Sequence, residues 1–458
     1  MPRRRATVGV LWISIAALAV AGGVLLLVPA SFETPRHVIL ISLDTLRADH
    51  LSLYGYPRET SPRLEEFAQK AFVFEHALAP APNTGPSHMS IMTSVYPVQH
   101  GLVGGLRRTE GGRPVLAEAL AQAGFRTAAF VDGGKMSREF GFDRGFVEYD
   151  DAGGGFARIL PLAERWTQMN RGERFFLFLH SYDIHTPYDP PRPYRGMFHT
   201  TPYTGSFVPN GKNMTALAFK NSEMAPEDLE HVVALYDEGI RYTDDALGAF
   251  LSYLDQRLGI LDESLVIILS DHGEEFGEHG SFLHWQIYHR PNLHVPLLMR
   301  IPGAPGARIE TPVQTIDVAP TVLDLLGLPP IPGSEGRSLA PLMQAAASRF
   351  ALPSAETEAR PALAWPPAPS EIPLRSVIDG RFQLLLDLES GSSRLFDLVA
   401  DPLATRDVAA DHPDVVARLR ADWDRWYAEN SDEILEAGPE VEVPEKTRER
   451  LRELGYLE

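Results

Sequence analysis

The chain has 458 residues, 44% of them hydrophobic, with 61 acidic against 42 basic side chains and a net charge of −19. That composition excludes a disordered chain, and the acidity excludes nucleic acid as a partner, because a phosphate backbone needs a basic surface. The absence of cysteine excludes disulfides, thiolate metal sites and a cysteine nucleophile.

At the N-terminus, Arg3, Arg4 and Arg5 precede an uncharged stretch at residues 8–28. A stretch of this length is about enough to cross a ~30 Å hydrocarbon core at 1.5 Å per residue, and it exceeds the ~7–15 residues of a signal-peptide core. The expectation is a single-pass membrane anchor over residues 1–30, in preference to a cleaved signal peptide. The arginines would then stay in the cytoplasm, with the rest of the chain extracytoplasmic, periplasmic or extracellular.

After a short tether, residues 37–42 (HVILIS) form a continuous apolar run that ends in Asp44 and reads as a buried strand. Similar runs occupy residues 126–131, 175–180, 265–270 and 296–301. Between them lie helical patterns: Leu64, Phe67, Ala68 and Ala71 share a face, as do Leu229, Val232, Val233, Tyr236 and Ile240, continued by Leu247, Leu251 and Leu254. Buried strands alternating with amphipathic helices predict an α/β domain with a mainly parallel sheet between helices. A helix at 316–325 closes this large domain, assigned to residues 37–350. Residues 352–373, rich in Pro, Ala and Glu, read as a linker. Beyond it, strands at 375–388 and 394–398 and a helix at 413–427 predict a small antiparallel sheet-plus-helix subdomain over 374–458.

Ligands of such sheets bind at the C-terminal strand ends. Three strands end in polar clusters there: Ser42-Leu-Asp44, His180-Ser-Tyr-Asp-Ile-His185 and Ser270-Asp-His-Gly-Glu274. Asp271-His272 at a strand end suits a metal pair. Thr84, two residues before Pro86, stands where a helix should begin. Its hydroxyl is placed to serve as an N-cap or, beside a metal at an anion-stabilising helix terminus, as a nucleophile.

The chain resembles the sulfatase family of the alkaline phosphatase superfamily. The resemblance is carried, in order, by VILISLDTLRADHLSLYG (38–55), TSPRL (60–64), TGPSHMSIMTSVYPVQHG (84–101), FGFDRGF (140–146), FLFLH (176–180) with its sequel to Tyr188, SDHGEEFGEHG (270–280), VPLL (295–298), DVAPTVL (317–323), GRSL (336–339) and LFDLVADP (395–402). It implies a metal-dependent ester hydrolase or phosphotransferase with the fold of alkaline phosphatases and sulfatases. Sulfatases carry Cys or Ser, any residue, Pro, any residue, Arg; here Thr84 and His88 take the first and last places. Oxidation of a threonine gives a ketone, so the formylglycine hydrate of sulfatases is not available. A threonine nucleophile resembles instead the phosphodiesterase, phosphotransferase and lipoteichoic-acid-synthase branches of the superfamily.

By the same resemblance, Asp44, Thr84, Asp271 and His272 are the metal ligands. Thr45 and His272 replace residues of an oxygen-rich calcium site, which suits manganese or zinc over calcium. His185 and His284 are the expected catalytic histidines, and Arg47, His88 and Lys135 the expected anion contacts. Asp183 and His279 are candidates, with His284, for a second metal. The expected substrate is an anionic ester, a phosphate mono- or diester, on an envelope lipid headgroup or glycan near the membrane. Two alternatives stand beside it: a sulfuric ester hydrolase without formylglycine, and a silent module that binds anionic glycans or lipids.

Overall fold

The computed structural model describes residues 32–109, 112–220, 224–284, 288–348, 362–364 and 374–457. Its centre is an eight-stranded sheet. In chain order the strands are β1 (His37–Leu43), β2 (Phe72–Phe74), β3 (Arg126–Phe130), β4 (Glu148–Asp150), β5 (Phe175–Ser181), β6 (Ser264–Leu269), β7 (Leu297–Arg300) and β8 (Ala307–Ile309). Their spatial order is β8-β2-β7-β6-β1-β5-β3-β4.

The continuous apolar runs are explained by cover on both faces. In β1, Val38 and Leu40 enter one hydrophobic cluster and Ile39, Ile41 and Leu43 the other. Phe176 and Phe178 of β5 likewise oppose Phe175, Leu177 and Leu179, and Leu265 and Ile267 of β6 oppose Val266 and Ile268. Each such side chain contributes about 1.5–3 kcal/mol over leaving it in water. The helices Thr84–Thr93, Leu116–Gln122 and Val318–Leu325 cover the first face. Pro62–Ala68, Gly155–Asn170 and the 28-residue Pro226–Tyr253 cover the second.

Two expectations are corrected. The sheet is mixed, because β7 runs antiparallel to both β6 and β2. The chain leaves β6 at its C-terminal edge and re-enters at that edge, where Ser270 N–H donates to the Pro296 carbonyl at 3.3 Å. A parallel return would have required a crossover to the opposite edge. The membrane anchor, and the single-pass membrane localisation built on it, are not supported either. Among the described residues no helix is long and apolar enough to cross a membrane. Pro226–Tyr253 has the length, but Asp237, Glu238, Arg241, Asp244 and Asp245 interrupt it. Residues 8–28 lie outside the described residues.

A second, four-stranded antiparallel sheet follows the order Ala362–Ala364, Leu374–Ile378, Phe382–Asp387, Ser393–Asp397. Its first strand falls within the stretch that reads as linker. Leu419 and Trp423 of the helix Pro413–Asn430 pack on it. The chain then returns to the large domain, where Leu451 of the helix Glu445–Glu453 is fully buried in the main core.

Candidate active site

The three polar strand ends converge because β6, β1 and β5 are adjacent, with Ser42 opposite both Leu269 and His180. Asp44, Asp271 and His272 are fully buried, and their ligand atoms lie within 4.8 Å of one another. His272 Nδ1–H donates to the Gly273 carbonyl at 2.9 Å, which leaves the Nε2 lone pair facing inward. Nε2 stands 3.9 Å from Asp44 Oδ1 and 3.3 Å from Asp271 Oδ2. Neither of those carboxylate oxygens has a hydrogen-bond partner. Burial and the neighbouring Asp271 carboxylate push Asp44 well above the usual carboxylate range. Burial acts upward on Asp271 too, but the imidazoles of His272 and His88 hold it below that range. Burial also lowers His272 to about 4. Two orphaned carboxylate oxygens and one imidazole lone pair around one point are what a divalent cation satisfies, so these residues fit a metal.

Two histidines support this cage from behind. His180 Nε2–H donates to Asp44 Oδ2 at 3.0 Å. His88 Nδ1 lies 2.9 Å from the Thr84 carbonyl and 3.3 Å from Asp271 Oδ2, while its Nε2 meets Ser42 Oγ at 2.8 Å. His88, expected at the anion, is thus held by the Thr84 carbonyl and Ser42 beside the Asp271 carboxylate. His180 escaped sequence reasoning as a site residue: it belonged to a polar strand end, but nothing local marked its partner.

Thr84 is the first residue of the helix Thr84–Thr93, and Asn83 holds the cap position. The threonine hydroxyl is not spent on capping. It lies 3.3 Å from His272 Nε2 and 2.9 Å from the hydroxyl of Tyr456. That tyrosine, which no sequence signal singled out, also meets His185 Nε2 at 3.1 Å and His284 Nε2 at 3.3 Å. His185 Nδ1–H donates to the Thr186 carbonyl at 2.6 Å, and His284 Nδ1 pairs with Glu274 Oε1 at 2.9 Å. Burial lowers His185 to about 3 and His284 to about 4, and raises Glu274 to about 7.

The remaining expected residues lie elsewhere. The Arg47 guanidinium is held by Asp49 (3.0 and 2.9 Å), Glu278 (2.5 Å) and the Glu274 carbonyl (2.9 Å). Lys135 donates to the Gly105 carbonyl at 2.8 Å and lies 5.2 Å from the Tyr456 ring; burial lowers it to about 8. Asp183 accepts from Phe156 N–H at 2.7 Å at the start of the helix Gly155–Asn170. His279 pairs with Glu275 at 2.7 Å and stacks on His289 at 3.5 Å with an interplanar angle of 13°. Lone pairs lie in the ring planes, so nearly parallel rings do not aim them at one ion. His279 instead belongs to a group with Glu275 and His289, whose ligand atoms lie within 4.8 Å of one another.

A family model described as Sulfatase matches residues 36–328, and one described as N-sulphoglucosamine sulphohydrolase, C-terminal, matches residues 277–424. Arylsulfatase K of Danio rerio is 32% identical over 199 residues, covering 42% of this chain and 36% of that protein. The ulvan-active sulfatase of Formosa agariphila is 25% identical over 410 residues, covering 81% of this chain and 76% of that protein. The match therefore spans about a third of the first relative's length and three quarters of the second's. Among solved structures, the phosphonate monoester hydrolase SpPMH from Silicibacter pomeroyi aligns with a TM-score of 0.72 and 22% identity over 86% of this chain and 95% of its own. With the family model spanning well over half of the sequence and the strand-end cage in place, the chain belongs to the sulfatase family.

Proposed function

We propose that this sulfatase-family hydrolase acts on esters of phosphorus acids, phosphate mono- and diesters or phosphonate monoesters, with Thr84 as its nucleophile. The observation that carries the reading is the Thr84 hydroxyl: one residue inside the helix start, it faces His272 Nε2 at 3.3 Å beside the orphaned oxygens of Asp44 and Asp271. The likeness to a phosphonate monoester hydrolase supports it.

Asp44, Asp271, His272 and the Thr84 oxygen would hold a divalent cation, manganese or zinc by the mix of carboxylate and imidazole donors. Bound there, it supplies Lewis acidity that favours the Thr84 alkoxide and the charge of the transferring group. Thr84 Oγ1 attacks in line, and its bond to the central atom forms as the ester bond to the leaving oxygen breaks. The N–H groups of the first helical turn stabilise the spreading negative charge. His185 or His284 takes up the proton shed by Thr84 and returns it to the leaving oxygen. Water or an alcohol then accepts the group from Thr84. His180 keeps the Asp44 carboxylate aimed inward throughout.

The test is turnover of a phenylphosphonate ester, a bis(nitrophenyl) phosphate and a nitrophenyl sulfate by the purified chain with manganese, zinc or calcium, beside Thr84→Ala. Phosphorus-ester turnover that needs manganese or zinc and falls at least ~10³-fold in the variant is expected. The names of the curated relatives favour a second reading, sulfate-ester hydrolysis. Sulfate turnover that survives Thr84→Ala would establish that reading and remove the threonine nucleophile.

A further inference from the structure

One hydroxyl, that of Tyr456, lies within hydrogen-bond distance of three groups that must touch a reacting ester: Thr84 Oγ1 at 2.9 Å, His185 Nε2 at 3.1 Å and His284 Nε2 at 3.3 Å. An oxygen of the transferred group would be bound beside that point. The chemistry of the neighbours decides what else is needed there. With Nδ1–H of His185 committed to a carbonyl, a neutral His185 turns its Nε2 lone pair toward this point. Lone pairs repel an anionic oxygen. Tyr456 brings an O–H donor to the same place.

The segment that carries the tyrosine is built into the fold. Leu451 and Leu454 are buried, and Arg450 pairs with Asp132 at 3.3 Å. Tyr456 N–H closes the helix Glu445–Glu453 on the Leu451 carbonyl at 2.8 Å. Gly455 takes a positive φ of 85° and packs so closely on Gly211 that a Cβ at Gly211 would lie 2.9 Å from the Gly455 nitrogen. A segment this tightly held is a wall of the site, and its Tyr456 hydroxyl points at the nucleophile.

We propose that Tyr456 is a substrate-contacting residue of this centre, whose phenolic hydroxyl stands beside the seat of an ester oxygen and donates a hydrogen bond to that oxygen once the ester is bound. The proposal rests on the reading of Thr84 as nucleophile. It assigns the tyrosine to an oxygen of a tetrahedral oxyanion ester, of phosphorus or of sulfur alike.

The experiment compares the full chain with Tyr456→Phe, which keeps the ring and its packing and removes only the hydroxyl. Inorganic phosphate, sulfate and manganese are titrated by calorimetry, the anions against manganese-loaded protein, and kcat/KM is measured on the ester that the wild type turns over. Anion binding weaker by about 10- to 100-fold and a matching fall in kcat/KM are expected, as for one hydrogen bond to a charged group; manganese uptake should be unchanged. Anion binding within twofold of wild type, or tighter, overturns the proposal, because the phenol is then a bystander or a competing occupant. A fall in manganese uptake overturns it too, since the hydroxyl then shapes the cage, as does a wild type that binds neither anion. Thr84→Ala separates the two readings: turnover surviving that change removes the nucleophile, whereas turnover lost there and intact in Tyr456→Phe removes only the tyrosine's role.

Discussion

Asp44→Asn tests the cage most directly. The amide keeps the side chain's shape, and its oxygen can still accept from His180 Nε2, now 3.0 Å from Asp44 Oδ2. What disappears is the anionic oxygen that faces His272 without a partner. A ligand at a hundred times its dissociation constant stabilises the native state by about 2.7 kcal/mol. Unfolding entropy of roughly 2.1 cal/mol/K per residue gives about 1 kcal/mol per degree for a chain of 458 residues. Manganese at that level should therefore raise the melting temperature of the chelated wild type by about 3 °C. A hundredfold weaker site leaves only about 0.4 kcal/mol, less than half a degree. Without metal, the variant should melt no lower than the wild type, because it buries one ionisable carboxylate where the wild type buries two. Scanning calorimetry after chelation, with and without manganese, reads both quantities. A full manganese shift in Asp44→Asn, or a metal-free variant several degrees less stable, would refute the assignment of this oxygen to a cation.

Gly273→Ala should destabilise the protein by about 3 kcal/mol and shrink the manganese shift, read in the same calorimeter. An added Cβ would lie 1.9 Å from the Pro291 carbonyl oxygen, and relief of that clash drags His272. A pH series checks His100, fully buried and lowered by burial to about 3. Its folded value lies below its unfolded value of about 6.5, so unfolding takes up a proton between those limits and stability is lost as pH falls through that window. His100→Gln should therefore flatten stability against pH between about 4 and 6 by close to one proton, or about 1.4 kcal/mol per pH unit, in denaturant titrations.

The strands were legible because each apolar run serves two buried faces, and the convergence of Asp44, His185 and Asp271 followed from their places at strand ends. An apolar run carries no direction, so the reversal of β7 was not legible. Thr84 as cap and Thr84 as free hydroxyl look the same in local sequence; the placement of Asn83 separates them. Arg47 has one carboxylate partner two residues away, Asp49, and a second, Glu278, 231 residues away that no local pattern marks. His180 and Tyr456 act on partners 136 and 372 residues distant, and pairings at such range leave no local trace.

The cage draws one ligand strand from each side of a seam: Asp44 follows β1, and Asp271 and His272 follow β6, its parallel neighbour. Strands in a sheet lie about 4.8 Å apart, a distance set by backbone hydrogen bonds and indifferent to side chains. The spacing of the donors is thus inherited from the sheet, while their chemistry is written in the residues just past its edge. Exchanging a donor there would alter which ion the site prefers without disturbing the strands beneath.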